Sequence, residues 1–271
     1  MQIVENLAAR ARRWRLDDWP VPEVSPGDEP TFLFILTPSY GGSTALAKVL
    51  NTSPASMLLT PNGEGMRLVP GLMKARWNAE LSIDWTSVRT TWLRRYQDVN
   101  ALVGGVRVVI EKSPPNMIRA DQLASCFERT VFVASNRDPY ANCSSILHRW
   151  HPVEKMTPTE SQEMLASLAM DWISRSQWLR QCMETRSIPL LTYERFCDDP
   201  ATCAQEVVRV CPELEQVDVT SEIQVKDYAA QPLRNQNERQ IGYLAPDQLS
   251  AVSQVLRTRA ELVAFFGYEI R

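Results

Sequence analysis

Histidine is scarce in this sequence, and its cysteines are not spaced as metal ligands. The only histidines among 271 residues, His148 and His151, lie three apart. That spacing fits one helix face, but no cluster of carboxylates or cysteines supplies the remaining ligands of a metal site. None of the six cysteines forms a CxxC pair, which favours reduced thiols over disulfides. We therefore expect a cytoplasmic protein without a metal centre.

Long apolar runs and an excess of positive charge are also missing. No stretch approaches the roughly 18–20 apolar residues that span a bilayer, and residues 1–20 lack the apolar core of a secretory signal peptide. The net charge of −3 gives no overall footprint for nucleic acid or a membrane surface. The expected partner is therefore a small molecule, and the oligomeric state is left open.

Residues 1–30 differ in composition from the rest of the chain. Arginines and apolar residues in 2–16 predict a short amphipathic helix, with a mitochondrial presequence as the alternative. Prolines and acids in 17–30 predict an extended linker. Residues 31–271 then predict one domain of the α/β class.

Short apolar runs rich in β-branched residues predict the strands of this domain. Four of them indicate buried parallel strands, and a weaker fifth lies at 56–60. Helical patterns between the runs imply crossovers and a three-layer fold, with helices on both faces of a central, mostly parallel sheet. The four main runs are 31–37, 106–111, 130–136 and 188–194. Ligands of such sheets bind at the carboxyl ends of the strands, so the candidate functional residues are those that directly follow each run.

The loop after the first predicted strand has the features of an anion site. Its residues Tyr40, Gly41, Gly42, Ser43 and Thr44 lead into a helical pattern. Glycines let the backbone approach an anion, and the free N–H groups at a helix start attract negative charge. A plain helix cap without a ligand is the alternative. The loop is not a Walker A motif, because serine stands where that motif has lysine, which disfavours a P-loop kinase.

Two basic residues follow later strands. Lys112 comes directly after 106–111, where it could neutralise a leaving group or be an ordinary surface lysine. Arg137 follows 130–136, and its planar fork suits a phosphate. Ser145 lies two turns into the next helix and could bind the same phosphate. An ion pair with Asp138 or a neighbour is the alternative role for Arg137.

Four segments in this order resemble motifs of the sulfotransferases that use 3′-phosphoadenosine 5′-phosphosulfate (PAPS). "YGGST" (40–44) resembles the phosphosulfate loop, "EKSPPN" (111–116) the Glu-Lys-Ser/Thr-Pro segment, "RDPYANCSS" (137–145) the 3′-phosphate motif, and "LLTYERFCDDP" (190–200) the segment near the adenine. The resemblance covers about 31–271. It implies a P-loop NTPase-like sulfotransferase fold, PAPS as donor and 3′-phosphoadenosine 5′-phosphate (PAP) as product, with no metal.

The resemblance also implies a role for each matching residue. The loop 40–44 would bind the 5′-phosphosulfate, and Lys112 would stabilise charge on the transferring group. The remaining matches concern the nucleotide: Arg137 and Ser145 would bind the 3′-phosphate, Tyr193 would lie near the adenine, and Arg234 and Asn237 fall where members close a loop over the nucleotide.

Tyr40 departs from the pattern, because the family has lysine or arginine there. Tyrosine can donate a neutral hydrogen bond but brings no charge. Either Lys112 acts alone, or Lys48 or Arg67 supplies the missing cation, or the protein is slow. A nucleotide-binding member with weak or lost transferase activity is therefore an alternative.

Members of this family deprotonate the acceptor with histidine or glutamate. Histidine-type members place it after the lysine, where this chain has Ser113-Pro114. Glu64, after the 56–60 run, is the predicted base, and such a base has its pKa raised toward neutrality from about 4.3. The alternative role of Glu64 is that of an acidic residue at a helix N-terminus, where the helix dipole favours it. His148 is the second candidate base. The acceptor would be a hydroxyl or an amine, guanidine or carbamoyl nitrogen of a small molecule, because bacterial members often modify secondary metabolites, including cyanobacterial guanidinium toxins.

Overall fold

The structure, a computed structural model, describes residues 27–73, 76–225 and 229–271. The predicted N-terminal helix and most of the predicted linker lie outside the described residues. None of the described helices is both long and apolar enough to cross a membrane. The strands are β1 (Thr31–Leu36), β2 (Ser56–Leu58), β3 (Val108–Glu111) and β4 (Thr130–Ala134). The helices are α1 (Ser43–Leu50), α2 (Trp85–Val103), α3 (Ala120–Cys126), α4 (Pro139–Trp150), α5 (Pro158–Arg186), α6 (Tyr193–Asp198), α7 (Pro200–Val210), α8 (Asn237–Ile241), α9 (Pro246–Arg257) and α10 (Ala260–Phe265), and short 3₁₀ turns cover Gly65–Leu68, Pro114–Arg119 and Val153–Lys155.

The four strands form one parallel sheet in the order β2-β3-β1-β4. Phe34 of β1 is in register with Glu111, and Leu36 with Ala134, so β3, β1 and β4 end at the same edge. The weak run 56–60 is confirmed as a strand.

The prediction of a strand at 188–194 is only partly correct, because the run pairs with the end of β4 but is too short to be a regular strand. Leu190 bridges Ala134 in the parallel sense, with the Ala134 N–H donating to the Pro189 carbonyl at 2.9 Å and the Leu191 N–H to the Ala134 carbonyl at 2.8 Å, and the chain then turns into α6. Thr192 causes the turn, because its side chain accepts the Arg195 N–H at 3.3 Å and caps the helix.

Two apolar cores, one on each face of the sheet, make the fold three-layered. Phe32 and Phe34 of β1 pack against Trp92 and Phe127, with 3.9 Å between the Phe32 and Phe127 ring centroids. The alternate side chains of β1 point the other way and pack with α1, α6 and α7. The predicted α/β class and layering are confirmed, and the carboxyl ends of the strands emerge between the two helical layers.

Candidate active site

The glycine-rich loop lies at the centre of the carboxyl edge, between the ends of β3 and β4. Gly42 has φ +84° as it enters α1, and a Cβ there would lie 2.2 Å from Cδ2 of Tyr193. Only glycine therefore allows this ring to pack on the loop. Ser43 and Thr44 are buried, and their backbone N–H groups belong to the first turn of α1, which has no intrahelical acceptor for them. The loop thus has the geometry of an anion cradle.

Arg137, beyond β4, is buried and extends toward this loop. Its Nε donates to Asn237 Oδ1 at 2.8 Å, and its Nη1 donates to Ser145 Oγ at 3.3 Å and to the Tyr40 carbonyl at 3.4 Å. Within the described part of the chain, its buried Nη2 has no hydrogen-bond partner. Burial, the largest effect, lowers the pKa of the guanidinium, which nevertheless stays charged. A buried cationic donor without a partner is costly and fits an anionic ligand.

Tyr193 holds Arg137 and the loop together. The guanidinium carbon of Arg137 lies 4.4 Å from the ring centroid of Tyr193, and the ring also covers Gly42. Its hydroxyl donates to the Arg234 carbonyl at 3.0 Å and accepts the Gln236 N–H at 3.1 Å. Burial raises the pKa of this hydroxyl to about 12. The ring therefore orients Arg137, a task beyond its predicted place near the adenine.

The C-terminal segment reaches Arg137 through Asn237. The Asn237 Nδ2 donates to Glu194 Oε1 at 2.6 Å, which also accepts the Asp138 N–H at 2.9 Å. Sequence reasoning missed Glu194, although it directly follows Tyr193 in the fourth motif. Arg234 is exposed and contributes its backbone carbonyl to this part of the site.

A second group of charged residues follows β3. The Lys112 Nζ, nearly fully buried, donates to Glu64 Oε1 at 2.9 Å. Gly63 makes room for this lysine, since a Cβ there would lie 3.1 Å from Lys112 Cγ. The exposed Arg67 donates from Nε to Glu64 Oε2 at 2.5 Å. The predicted base and two of the predicted cations therefore form one ion-paired cluster.

The pKa of Glu64 is shifted in the direction opposite to the expected one. Burial alone would raise it, but the charges and hydrogen bonds of Lys112 and Arg67 together outweigh burial and lower the pKa below its ordinary value. In this state Glu64 is a weak base. Its role in proton removal stays a prediction that requires these cations to move away.

Glu111, which sequence reasoning did not select, lies under this cluster. It has no exposed surface, and it accepts hydrogen bonds from Gly65, Ser113 and Asn116. Burial is the dominant effect and raises the pKa of this carboxyl to about 7, although the hydrogen bonds from Ser113 and Gly65 oppose the shift.

His148 and Lys48 lie outside both groups. The exposed His148 ring hydrogen-bonds through Nδ1 with the Ser144 carbonyl at 2.9 Å and lies 5.2 Å from the Tyr243 ring. Its described contacts do not include Lys112 or Glu64. Lys48 lies on α1, where partial burial lowers its pKa. The structure therefore joins Glu64, and not His148, to Lys112.

The order of the strands determines where the Lys112 group and the Arg137 group lie relative to the glycine-rich loop. Because β1 lies between β3 and β4 and neighbouring strands are about 4.8 Å apart, the Lys112 group and the Arg137 group flank the loop from opposite sides. The arrangement can hold a ligand with two anionic ends and can place a cation and a carboxylate at one of them.

No protein-family model and no curated protein matches the chain, whereas several solved structures are similar to it. The sulfotransferase STF9 from Mycobacterium avium superposes with a TM-score of 0.58 at 15% identity, covering 97% of this chain and 82% of that one. A sulfotransferase from Alicyclobacillus acidocaldarius gives 0.51 at 15% identity, covering 89% and 97%. STF1 from Mycobacterium tuberculosis gives 0.50 at 14% identity, covering 88% and 76%. The chain therefore has the α/β fold of sulfotransferases.

Proposed function

We propose that this protein is a PAPS-dependent sulfotransferase. It transfers a sulfuryl group to a hydroxyl or nitrogen of a small molecule and leaves PAP. The observation that carries the proposal is Arg137, whose buried Nη2 has no partner in the described residues and which lies with Ser145 beside the glycine-rich loop. The fold, shared with known sulfotransferases, supports it.

The residues present fit the nucleotide. Arg137, Ser145 and Asn237 offer a charged fork and neutral polar groups for the 3′-phosphate. The first N–H groups of α1 and the hydroxyls of Ser43 and Thr44 suit the 5′-phosphosulfate. Tyr193 keeps the two sites in register, because its ring contacts both Arg137 and Gly42.

Two side chains would act on the transfer. When bound, the donor supplies an activated sulfuryl group. Transfer breaks the bond between sulfur and the oxygen that bridges it to phosphorus. Lys112 would stabilise the negative charge that develops on this oxygen. Glu64 would accept the proton that the acceptor oxygen or nitrogen loses as it bonds to sulfur.

Glu64 becomes a stronger base when its cations turn away from it. Lys112 and Arg67 lower its pKa, whereas burial raises it. If both cations turn toward an anionic ligand, burial remains as the main effect, and the pKa of Glu64 rises toward the range that suits a base. A secondary metabolite, such as a cyanobacterial guanidinium toxin, is one candidate acceptor.

A radiolabelled donor tests the proposal directly. The protein is incubated with ³⁵S-labelled PAPS and pooled alcohols, phenols, amines and guanidines, and labelled products are separated. We expect transfer by the wild type and by Lys155→Met, which alters an exposed lysine, but little by Lys112→Met. No labelled product from any pool would count against the proposal.

A second candidate, a nucleotide-binding protein with weak transfer, is favoured by Tyr40, which adds no charge to the loop. Calorimetry with PAP tests it, since tight binding without transfer to any acceptor would identify this case. Magnesium-dependent binding of ATP in preference to PAP would instead support a kinase.

A further inference from the structure

The carboxylate of Glu111 connects two separate loops. Oε1 accepts the Gly65 N–H at 2.8 Å and the Ser113 hydroxyl at 2.5 Å. Oε2 accepts the Ser113 N–H at 2.9 Å and the Asn116 side-chain amide. Since Glu111 has no exposed surface, it is not placed to take a proton from an acceptor.

The donors are the immediate neighbours of the two residues assigned to the reaction. Gly65 follows Glu64, and Ser113 follows Lys112. A further bond runs from the Met66 N–H to Ser113 Oγ at 3.3 Å, and another from the Lys112 N–H to the Gly63 carbonyl at 2.8 Å. The backbone on both sides of Glu64 is thus fastened to the turn that carries Lys112.

We propose that Glu111 is a positioning residue that holds the backbone of Glu64 and the backbone of Lys112 at the separation from which both side chains reach the transferring group. The inference rests on the proposed function, because that separation matters for transfer. An ionised carboxylate is the side chain suited to this place, since it only accepts, and all four groups that reach it can donate. A glutamine would direct an N–H₂ group at two of those donors.

The burial of this group supports a functional reason for its presence. Burial raises the pKa of Glu111 to about 7, so the carboxylate is kept here at a cost to stability. Costly buried charges of this kind are more frequent at functional sites than elsewhere.

Glu111→Gln tests the inference, with Glu29→Gln as the matched control. Glu29 is also a buried glutamate, but it lies at the opposite, amino end of the sheet, where it pairs with Arg89 and accepts the Glu128 N–H at 3.0 Å. Three quantities are compared between the wild type and the two variants: the hydrogen exchange rate of the Gly65 amide, the kcat of transfer and the affinity for PAP.

In Glu111→Gln we expect the Gly65 amide to exchange about tenfold faster, because it loses a bond to a charged acceptor. We expect kcat to fall about 10²-fold, as for a reacting group displaced by about 1 Å, while the Kd of PAP stays within about twofold. Glu29→Gln should lower the free energy of unfolding but leave the Gly65 exchange rate, kcat and PAP affinity unchanged.

Unchanged exchange at Gly65, or a fall in kcat no larger than that of Glu29→Gln, overturns the inference. If the wild type transfers to no acceptor, the proposed function fails, and the exchange result alone decides whether Glu111 fastens the two loops. If Glu111→Gln does not fold, Ser113→Ala cuts the same connection, and faster exchange of the Met66 amide is then required.

Discussion

Replacing Arg137 by methionine should abolish discrimination between PAP and adenosine 5′-monophosphate (AMP), which lacks only the 3′-phosphate. Methionine keeps much of the length of the arginine side chain and removes its charge and donors. If Arg137 binds the 3′-phosphate, the wild type prefers PAP, and the variant binds both nucleotides with similar affinity.

The magnitude follows from the donors that Arg137 offers. Nη2 has no partner among the described residues, and Nη1 makes only long bonds of 3.3 and 3.4 Å, so both can turn to a phosphate. Hydrogen bonds to charged groups contribute about 1.5–3 kcal/mol each. Two such bonds give at least about 3 kcal/mol, which is a preference of more than about 10²-fold.

Stability should change much less than affinity in this variant. The substitution removes a buried donor without a partner, which offsets part of the loss of the bonds to Asn237 and Ser145. We expect the free energy of unfolding to change by less than about 2 kcal/mol.

Isothermal titration calorimetry measures the affinities of the wild type and of Arg137→Met for PAP and for AMP. Arg195→Met is the matched control, because Arg195 lies on α6 near Tyr193 but pairs with Glu206 at the surface; it should keep the full preference for PAP. If Arg137→Met weakens the binding of AMP as much as the binding of PAP, Arg137 does not bind the 3′-phosphate, and our assignment is refuted.

Three further substitutions test other parts of the site. Glu64→Gln should lower kcat by about 10²–10⁴-fold with little effect on PAP affinity in calorimetry; normal kcat would place the base elsewhere. Gly42→Ala should destabilise the protein in urea by about 1–2 kcal/mol, because its Cβ would meet Tyr193 at 2.2 Å and φ is +84°; unchanged stability would show that the ring moves aside. Glu111 has a folded-state pKa of about 7 against about 4.3 unfolded, so its protonated form stabilises the fold below pH 4.3, and this contribution is lost as pH rises through 7. In urea titrations at several pH values, the stability of the wild type relative to Glu111→Gln should fall by roughly 4 kcal/mol across that window, and a constant difference would contradict the shifted pKa.

The strands could be predicted where burial alone determines the sequence. β1 is covered by helices on both faces, so it appears in the sequence as a continuous apolar run. The run at 188–194 is also rich in apolar residues, but its structure depends on Thr192, whose side chain caps a helix that starts one residue later. A local capping bond overrides the apolar pattern there, which composition does not reveal.

The residues around Arg137 could be placed together because they follow a strand or match a motif. The position of Glu111 could not, since its bond to the Gly65 N–H joins residues 46 positions apart and depends on the packing of β2 and β3. The direction of the Glu64 pKa shift was missed for a related reason. Its sign depends on which cations reach the carboxylate, and the sequence does not fix that Lys112 and Arg67 both do so.

The ion-paired cluster also bears on the missing cation at Tyr40. Lys112 and Arg67 together carry two positive charges, and Glu64 balances only one of them. The buried Lys112 would be costly to keep unpaired, so Glu64 stabilises it while no anion is bound. An anionic ligand that drew both cations away would receive the charge that a lysine at position 40 would have supplied, and Glu64 would then be free to act as the base. If the proposed function holds, Tyr40 would not imply a slow enzyme, because Arg67 in the loop after β2 would supply the second cation.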